Sequence, residues 1–511
     1  MSSKYDAVII GASLGGLSAA LQLGMKGKKA LILEQHNLQG GLATSFVRGR
    51  FEFEATLHEL QSVGTENNPR KIRKFLDEAG VKVHWIQVPE AYKLVYKKEN
   101  INVVMPYGIH KMIQTVEREV PGSKEKMTAL MKTCKEILDS MNYFGDIGGA
   151  DKLSKLELLK KHSTFVKTAG YTAKEVIDTF NLPKKAIDLI TPYWIYVGVP
   201  LSRLSFTVWA YLMADYFEGG AVVCAHNSHA LSLSMEKRAE EMESTVELKT
   251  RAHKILVENG KVKGVRTDKG DEIKCNHVIC ASYPNNVYRN MIEPIEEVPR
   301  EAIKLTNARR IGVSAFTVYL ALDLPPDKLN IDSYSYFVAD TMDTDKIWEN
   351  YKTIEPPNYI TTIVLNKANP KCFPEGTTEM SITALPKADG WMNIKKEDYM
   401  DVKRNYAKAM IDKMSEVLDV DLYEHIEEIE IATPETIARY TGSYNGSVYG
   451  YEHVIWDSLV ARISKEREER YIKGLEFIGA HASIGNGYAP NITSGRKAAL
   501  EVLKDIKKGG E

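Results

Sequence analysis

The sequence predicts an α/β fold organised around a Rossmann-type nucleotide-binding domain, and three observations support this prediction. A short apolar run at residues 7–10 is typical of a buried parallel strand. A glycine-rich turn follows, then small and apolar residues at helical spacing over 14–23 and a second apolar strand over 30–33. Near the other end of the chain, residues 475–480 form a strand that enters a glycine-containing loop, and a helix follows over 491–506. Strands that alternate with helices in this way build parallel sheets.

The turn after the first strand matches the dinucleotide-binding fingerprint at all but one position. Gly11 and Gly16 take the first and third glycine positions, whereas Ser13 stands at the second. The fingerprint aims a helix N-terminus at the pyrophosphate and places an acid, here Glu34, where it accepts from the ribose hydroxyls. Serine is small and can donate its hydroxyl to a phosphate oxygen, so a dinucleotide site is predicted. The alternative is an ordinary strand–turn–helix.

A second glycine pair, Gly40-Gly41, comes shortly after Glu34. The stretch 40–45 resembles the extended motif of the large group of FAD oxidoreductases that includes amine oxidases and carotenoid desaturases. Leu42 stands where members of that group often carry arginine. Two adjacent glycines let the backbone pass close to a diphosphate and ribityl chain. The resemblance therefore implies FAD rather than a nicotinamide cofactor.

Composition and charge exclude several classes of protein. The 511 residues are 44% hydrophobic and 26% charged, which is ordinary for a globular protein with an ample core. A formal net charge of −1 argues against a nucleic-acid partner. The five cysteines form no CxxC pair, and no metal site is predicted. The first strand begins within a few residues of Met1, so we expect no presequence and a cytoplasmic location.

The most apolar region, 190–223, is broken by prolines and charged residues and is not expected to span a membrane. It is dense in aromatic residues, among them Trp194, Tyr196 and Trp209. Burial in the core is the favoured interpretation. Two alternatives are left open: the lining of a tunnel for a long apolar substrate, and a surface that dips into a membrane.

The segment after the glycine pair carries a candidate acid–base residue. Residues 50–54 alternate like a strand and lead to His58. The resemblance implies an aromatic residue, an acid, a glycine and often a histidine here, and this chain has Thr56 in place of the glycine. His58 is a candidate for moving a proton beside a flavin, although a lone histidine is more often structural.

The rest of the chain alternates between helical and strand-like patterns. Helices are predicted at 69–80, over most of 109–190, at 229–243 and at 397–418, with a capping box at Thr172. Strands are predicted at 81–85, within 92–105, at 246–250, 254–257, 263–267, 273–281, 312–322, 333–338, 359–365 and 379–385.

Three further segments make the resemblance specific. These segments look like the phytoene desaturase, carotenoid isomerase and retinol saturase family. They are residues 196–200 with 216–220, residues 433–452, and the closing loop with Gly479, Ala480, Gly485, Gly487 and Ser494. The closing loop departs from the family at His481, Ile484 and Asn486. The resemblance covers nearly the whole chain, and it is dense at the FAD segments and thin in the helical part.

The resemblance implies two domains. A discontinuous FAD-binding domain would comprise 1–75, 215–285 and 455–511. A substrate-binding domain with a mixed sheet and a helical cap would comprise 76–214 and 286–454.

The resemblance also implies site residues. Those expected to bind FAD are Gly11, Ser13, Leu14, Gly15, Gly16, Glu34, Gln35, Gly41, Leu42, Ala43, Thr44, Ala252, Gly479, Ala480, Gly487, Asn491 and Ile492. Those expected to bind substrate are Trp194, Tyr196, Trp209, Arg439 and Tyr488, and those expected to take part in catalysis are His58 and Tyr440.

The expected function is that of an FAD-dependent oxidoreductase acting on carbon–carbon double bonds of an apolar polyene, carotenoid, retinoid or lipid-like molecule by desaturation, saturation or isomerisation. Two alternatives are an amine-oxidase-like enzyme that oxidises a C–N bond and a lipid-binding flavoprotein without turnover. Only one nucleotide fingerprint is present, so an external electron donor or acceptor is expected. A peripheral membrane contact is left open.

Overall fold

We describe a computed structural model of the chain, which covers residues 4–147, 152–458, 461–462, 470–482 and 485–509. A five-stranded parallel sheet forms its nucleotide-binding part, in the spatial order 475–477, 278–280, 7–10, 30–33, 245–247. Three distant stretches of chain thus share one sheet, as the α/β prediction requires. The exact domain boundaries stay a prediction.

Both faces of this sheet are buried, which explains the unbroken apolar runs of its strands. Ala7 and Ile9 face one core with the helices Leu14–Gly24 and Tyr488–Gly509. Val8 and Ile10 face a second core beneath the hairpin Ala252–Glu258 and Lys261–Thr267. The carboxyl ends of the strands therefore meet at one edge, where this class of fold binds ligands.

A seven-stranded mixed sheet forms the second part, in the order 426–432, 316–322, 378–384, 359–363, 335–339, 92–96, 101–105. Neighbouring strands are antiparallel except at the junction of 335–339 with 92–96, which is parallel. The predicted mixed sheet is confirmed, and the segment 92–105 joins it as a hairpin.

The structure has the following strands: Ala7–Ile10, Ala30–Leu33, Ser45–Arg48, Phe51–Glu54, Trp85–Gln87, Tyr92–Tyr96, Ile101–Met105, Val222–Cys224, Thr245–Glu247, Ala252–Glu258, Lys261–Thr267, Glu272–Lys274, Val278–Cys280, Ile292–Glu293, Phe316–Leu322, Ser335–Ala339, Tyr359–Ile363, Thr378–Ala384, Ile426–Ala432 and Leu475–Phe477. Its helices of six or more residues are Leu14–Gly24, Lys71–Ala79, Ile109–Glu119, Lys124–Ile147, Lys155–Lys161, Ser163–Thr168, Ala173–Asp178, Lys184–Ile190, Phe206–Gly219, Asn227–Glu241, Arg300–Ala308, Thr344–Asn350, Tyr399–Leu418, Pro434–Thr441 and Tyr488–Gly509.

Two strand predictions were wrong. Residues 81–84 form no strand, and pairing begins only at the strand Trp85–Gln87. This strand pairs with Val222–Cys224 and not with the strand that follows it in the sequence. The run 273–281 is two strands in different sheets, 272–274 in the hairpin sheet and 278–280 in the parallel sheet. In both cases alternation marks which residues are buried, whereas the partner strand decides where pairing begins.

The aromatic region 190–223 lies in the core. Tyr193, Trp194, Phe206 and Trp209 are fully buried, which confirms the favoured interpretation. The two alternatives for this region, the lining of a substrate tunnel and a surface that dips into a membrane, stay predictions. Within the residues described above, no helix has the length and apolar character needed to cross a membrane.

Candidate active site

The fingerprint turn is held in place by backbone geometry and by Glu34. The N–H of Ala12 donates to Glu34 Oε2 and that of His36 to Glu34 Oε1, each at 2.8 Å. Ser13 caps the helix that follows, and the first N–H groups of a helix have no acceptor within it. Free N–H groups and the helix dipole favour an anion at this point.

The second glycine pair packs directly against this turn. The Gly40 N–H donates to Ala12 O at 2.8 Å, and an added Cβ at Gly41 would lie 3.5 Å from Ser13 Cβ. At Gly40 the backbone has φ +102°, and an added Cβ would meet Ala43 O at 2.1 Å. Two turns that lie 27 residues apart along the chain therefore form one backbone-lined cradle.

The C-terminal segment closes the other side of the cradle. Glycines allow its helix to approach the N-terminal helix closely: an added Cβ at Gly495 would lie 1.9 Å from Gly15 O. Ser494 Oγ accepts from the Gly479 N–H at 3.2 Å and fixes the loop to the start of the helix. The N–H of Thr250 donates to Glu34 O at 2.8 Å, which brings the strand that begins at Ala252 beside the ribose acid.

These features fit FAD. The cradle is lined by backbone where a diphosphate needs a close approach, and it joins the segments predicted to bind the cofactor. It also contains a buried donor, Gln39 Nε2, that has no partner among the residues the structure describes. The residues that would hold FAD are those of the two glycine turns, Glu34, the loop residues 479–482 and the helix start at 485–492. The contact of each individual residue stays a prediction.

A buried polar network lies where the cradle meets the second part of the molecule. The Tyr488 hydroxyl is 3.1 Å from Thr56 Oγ1, 3.0 Å from Ser228 Oγ and 3.2 Å from Leu42 O. Glu54 Oε2 accepts from the Ser228 N–H at 2.7 Å. Burial raises the pKa of Glu54 to about 7, against the opposing effect of these hydrogen bonds. The network ties the C-terminal loop to the segment that carries His58.

His58 lines a cavity of about 10 Å³, together with Glu54, Ser381 and Glu379. A space of this size admits roughly one water molecule. Burial lowers the pKa of His58 to about 4, so its imidazole is neutral near pH 7. Glu379 is 2% exposed, and its Oε2 has no partner within the described part of the chain. Burial raises the pKa of Glu379 well above its usual value, which favours the neutral form of this carboxyl group.

Glu59, the next residue, is surrounded by tyrosines. The hydroxyl of Tyr193 lies 2.7 Å from Glu59 Oε2, and the hydroxyl of Tyr216 donates to Glu59 O at 3.1 Å. Burial raises the pKa of Glu59 to about 8, although the nearby hydroxyls of Tyr193, Tyr107 and Tyr196 oppose this shift. A second protonated carboxyl group therefore lies close to His58.

The predicted substrate and catalytic residues fall into two groups. Trp194 and Trp209 are buried, Tyr196 is half-buried, and Tyr488 joins the network described above. Arg439 and Tyr440 lie on the surface: Tyr440 is 57% exposed, and its ring centroid is 5.8 Å from that of His36. This places Tyr440 beside His36, whose N–H donates to the ribose acid Glu34. The roles of all these residues stay predictions.

Sequence reasoning missed Glu379, Ser228 and Tyr193. One signal was available for Glu379, an acid in the otherwise apolar and hydroxyl-bearing strand Thr378–Ala384. Ser228 and Tyr193 carry no such signal, because their roles depend on contacts with residues more than 130 positions away.

Comparison with known proteins gives a consistent result. Residues 14–367 match the family described as "Flavin containing amine oxidoreductase". The chain is 23% identical to the prolycopene isomerase of Daucus carota, over 99% of this chain and 81% of that protein. It is also 23% identical to the all-trans-retinol 13,14-reductase of Rattus norvegicus, over 88% of this chain and 78% of that protein.

Among solved structures, the cyclohexylamine oxidase of Brevibacterium oxydans IH-35A aligns with a TM-score of 0.63 at 12% identity. The alignment covers 98% of this chain and 99% of that one. At this identity the likeness concerns the fold.

Proposed function

The chain belongs to the flavin containing amine oxidoreductase family, and within this family we propose that it acts on a carbon–carbon double bond of a long apolar molecule. It is an FAD-dependent oxidoreductase, as the sequence predicted. The observation that carries the proposal is the similarity along 99% and 88% of the chain to an isomerase of prolycopene and a reductase of retinol. Desaturation, saturation and isomerisation are all included, because direction depends on the flavin potential and the electron partner.

The flavin supplies hydride exchange with the substrate, and the chain's own residues handle the accompanying proton. His58 is neutral near pH 7, so one of its ring nitrogens carries a proton and the other can accept one. It therefore acts as a relay that accepts a proton at one nitrogen and releases the proton of the other. The neighbouring Glu379 holds a proton, and the small cavity between them admits a water molecule. Glu379, this water and His58 form a buried route along which a proton can reach or leave the substrate.

A second candidate is oxidation of a C–N bond. One observation favours it: an acidic side chain, Glu59, lies among tyrosine rings, and aromatic rings with a carboxylate also suit a cationic amine. The tyrosine contacts and the raised pKa of Glu59 favour the neutral carboxyl, which makes this candidate the weaker of the two.

Product analysis separates the candidates. FAD-loaded protein, reduced or oxidised, is incubated with a polyene and with a primary amine of equal chain length, and the products are identified by mass. A polyene product that differs by two hydrogens, or that is an isomer of the substrate, supports the proposal. Conversion of the amine alone contradicts it.

A peripheral membrane contact and an external electron partner are part of the proposal. The helix Lys155–Lys161 exposes Leu156 (60%) and Leu159 (57%), and the helix Ser163–Thr168 follows it directly. Residues 152–168 contain five lysines and one glutamate, so the surface is both apolar and basic, as an anionic lipid surface requires.

Sedimentation with anionic and with zwitterionic vesicles tests this contact. Leu156→Glu with Leu159→Glu should abolish binding to anionic vesicles, whereas Leu233→Glu, at a leucine that is 45% exposed on another helix, should not. Equal binding of both variants would contradict the proposed contact.

A further inference from the structure

The proton route proposed above leaves one buried acid beside His58 without a role, Glu54. This residue ends the strand Phe51–Glu54, is 4% exposed, and lines the same small cavity as His58. Its main-chain N–H donates to Glu379 Oε1 at 2.9 Å, so it also contacts the other acid of that cavity. Glu54 therefore lies beside both groups to which we assign proton transfer.

Both oxygens of the Glu54 carboxylate accept hydrogen bonds from main-chain N–H groups. Oε1 accepts from Leu57 at 3.2 Å and from Thr56 at 3.4 Å, and both donors belong to the loop that leads to His58. Oε2 accepts from Ser228 at 2.7 Å, on a helix 174 positions further along the chain. Three donors on two oxygens suit the ionised form, which only accepts hydrogen bonds. One side chain thus holds two segments of the chain together.

The helix Asn227–Glu241 takes its N-terminal cap from this other segment. In the described part of the chain, the side chain of His226, just before the helix, makes no hydrogen bond to its first turn. Asn227 has φ +60°, a backbone conformation that non-glycine residues rarely adopt. The first N–H groups of a helix have no acceptor within it, and the helix dipole favours a negative charge there. Glu54 supplies both the acceptor and the charge, so we expect the start of this helix to depend on it.

Four hydrogen bonds form a ring that begins and ends at Glu54. Ser228 Oγ lies 3.0 Å from the hydroxyl oxygen of Tyr488, and this oxygen lies 3.1 Å from Thr56 Oγ1. The N–H groups of Ser228 and Thr56 both donate to Glu54, which completes the ring. Tyr488 begins the C-terminal helix, next to the loop predicted to hold the flavin. The ring therefore joins the segment before His58 to the cofactor loop.

We propose that Glu54 is a positioning residue whose carboxylate fixes His58 relative to the cofactor loop. It acts through the loop 55–57 on one side and through Ser228 and Tyr488 on the other, and not on the reacting atoms. Its effect on turnover rests on the proposed function, because His58 belongs to the proposed proton route. Its effect on the cofactor does not, because the hydrogen bonds of the ring are independent of the substrate.

The groups that face Glu54 from neighbouring elements are neutral or acidic. They are Ser228, Glu379, Cys224, Tyr319, Tyr334 and Tyr488. Burial raises the pKa of the cysteine and of the three tyrosines, so these groups stay neutral near pH 7. Burial raises the pKa of Glu54 to about 7, so its carboxylate forms as the pH rises through this value. Since the carboxylate is the form that suits three N–H donors, the positioning should be complete above about pH 7 and weaken below it.

The affinity for FAD tests the ring without any substrate. FAD-loaded wild type, Glu54→Gln, Tyr488→Phe and the double variant are diluted, and the fluorescence of released flavin gives each dissociation constant. Each single change should weaken FAD binding by about 5- to 10-fold, the scale of one hydrogen bond. The double variant should lose no more than about 10-fold, because both changes open the same ring. Glu52→Gln, at an exposed acid of the same strand, is the matched control and should bind FAD like the wild type.

Unchanged FAD affinity in both single variants, or a loss of about 25-fold or more in the double variant, would overturn the inference, because the two residues would then act independently. Ser228→Ala keeps the test valid if Glu54→Gln does not fold. It removes the hydroxyl that contacts Tyr488 and leaves the main-chain N–H that donates to Glu54. Ser228→Ala combined with Tyr488→Phe should then show the same non-additive loss.

The pH dependence of turnover tests the effect on His58. In the wild type, kcat should rise as the pH increases through about 7, with little change in KM. Glu54→Gln keeps its size but cannot ionise, so it should lack this rise and be slower by about 10-fold or more above pH 7. Glu59, whose pKa is about 8, should affect both proteins alike.

The same rise in Glu54→Gln as in the wild type would overturn the positioning role, because a group that cannot ionise would then reproduce it. Non-additive FAD binding without turnover of any polyene would support the link between Glu54 and the cofactor loop and contradict the proposed function.

Discussion

The two ends of the candidate active site are built from different chemistry. At the nucleotide end, backbone groups and glycines form the cradle, and Glu34 has both oxygens held by backbone N–H groups. At the substrate end, buried side chains dominate, and burial raises the pKa of the carboxyl groups of Glu59 and Glu379. The difference suggests a division of roles: the first end fixes a cofactor through its shape, and the second supplies protons and hydrogen bonds.

The largest expected effect is at the nucleotide end. In Gly16→Ala the new Cβ would lie 2.0 Å from Gly11 O, so the turn cannot keep its shape. We expect the purified variant to contain almost no FAD and to unfold at a lower temperature. In the control Gly145→Ala, no atom of the described residues lies within 4 Å of the added Cβ, and the flavin content should be unchanged. A Gly16→Ala protein with a full complement of FAD would contradict the assigned cradle.

At the substrate end, His58→Ala should separate cofactor binding from turnover. The variant should retain FAD and lose about 10²-fold or more in turnover, the usual scale for a missing proton-transfer group. Tyr440→Phe tests the other predicted catalytic residue and should have the smaller effect, because that ring is 57% exposed and contacts His36. Flavin absorbance and steady-state rates are measured for both. Full activity in His58→Ala would remove it from the proton route.

A smaller effect is expected on stability as a function of pH. Burial raises the pKa of Glu59 to about 8 in the folded protein. The neutral Glu59 side chain therefore stabilises the fold fully at a pH below the usual pKa of a glutamate. This stabilisation is lost as the pH rises through about 8. Glu59→Gln cannot ionise. Between about pH 5 and pH 9 its unfolding temperature should fall less than that of the wild type, by roughly 2 °C or more.

Glu66→Gln is the control for this measurement, because Glu66 is exposed. Its unfolding temperature should depend on pH in the same way as that of the wild type. Parallel curves for Glu59→Gln and the wild type would show that Glu59 is ionised in the folded protein. The raised pKa of Glu59 at the substrate end would then be wrong.

The same comparison explains how much the sequence could predict. Each segment of the cradle is a short local motif, such as the turn with Gly11, Ser13 and Gly16, so the fold and the cofactor could be predicted from local pattern. The substrate end depends on contacts between distant segments. The tyrosine partners of Glu59 and the burial of Glu379 follow from packing that no local pattern encodes. The exposed position of the Tyr440 ring beside His36 likewise follows from packing.

The central claim is that the bound FAD exchanges electrons with a polyene and that buried residues of the chain handle the accompanying proton. Anaerobic mixing tests it most directly, with oxidised and with reduced enzyme and with flavin and polyene absorbance followed together. We predict that the polyene spectrum changes. Saturation would reoxidise the flavin of the reduced enzyme, and desaturation would bleach the flavin of the oxidised enzyme. Isomerisation would change the polyene spectrum with no net change in the flavin. An unchanged polyene spectrum in both mixtures, with bleaching of the flavin by a primary amine, would contradict the account.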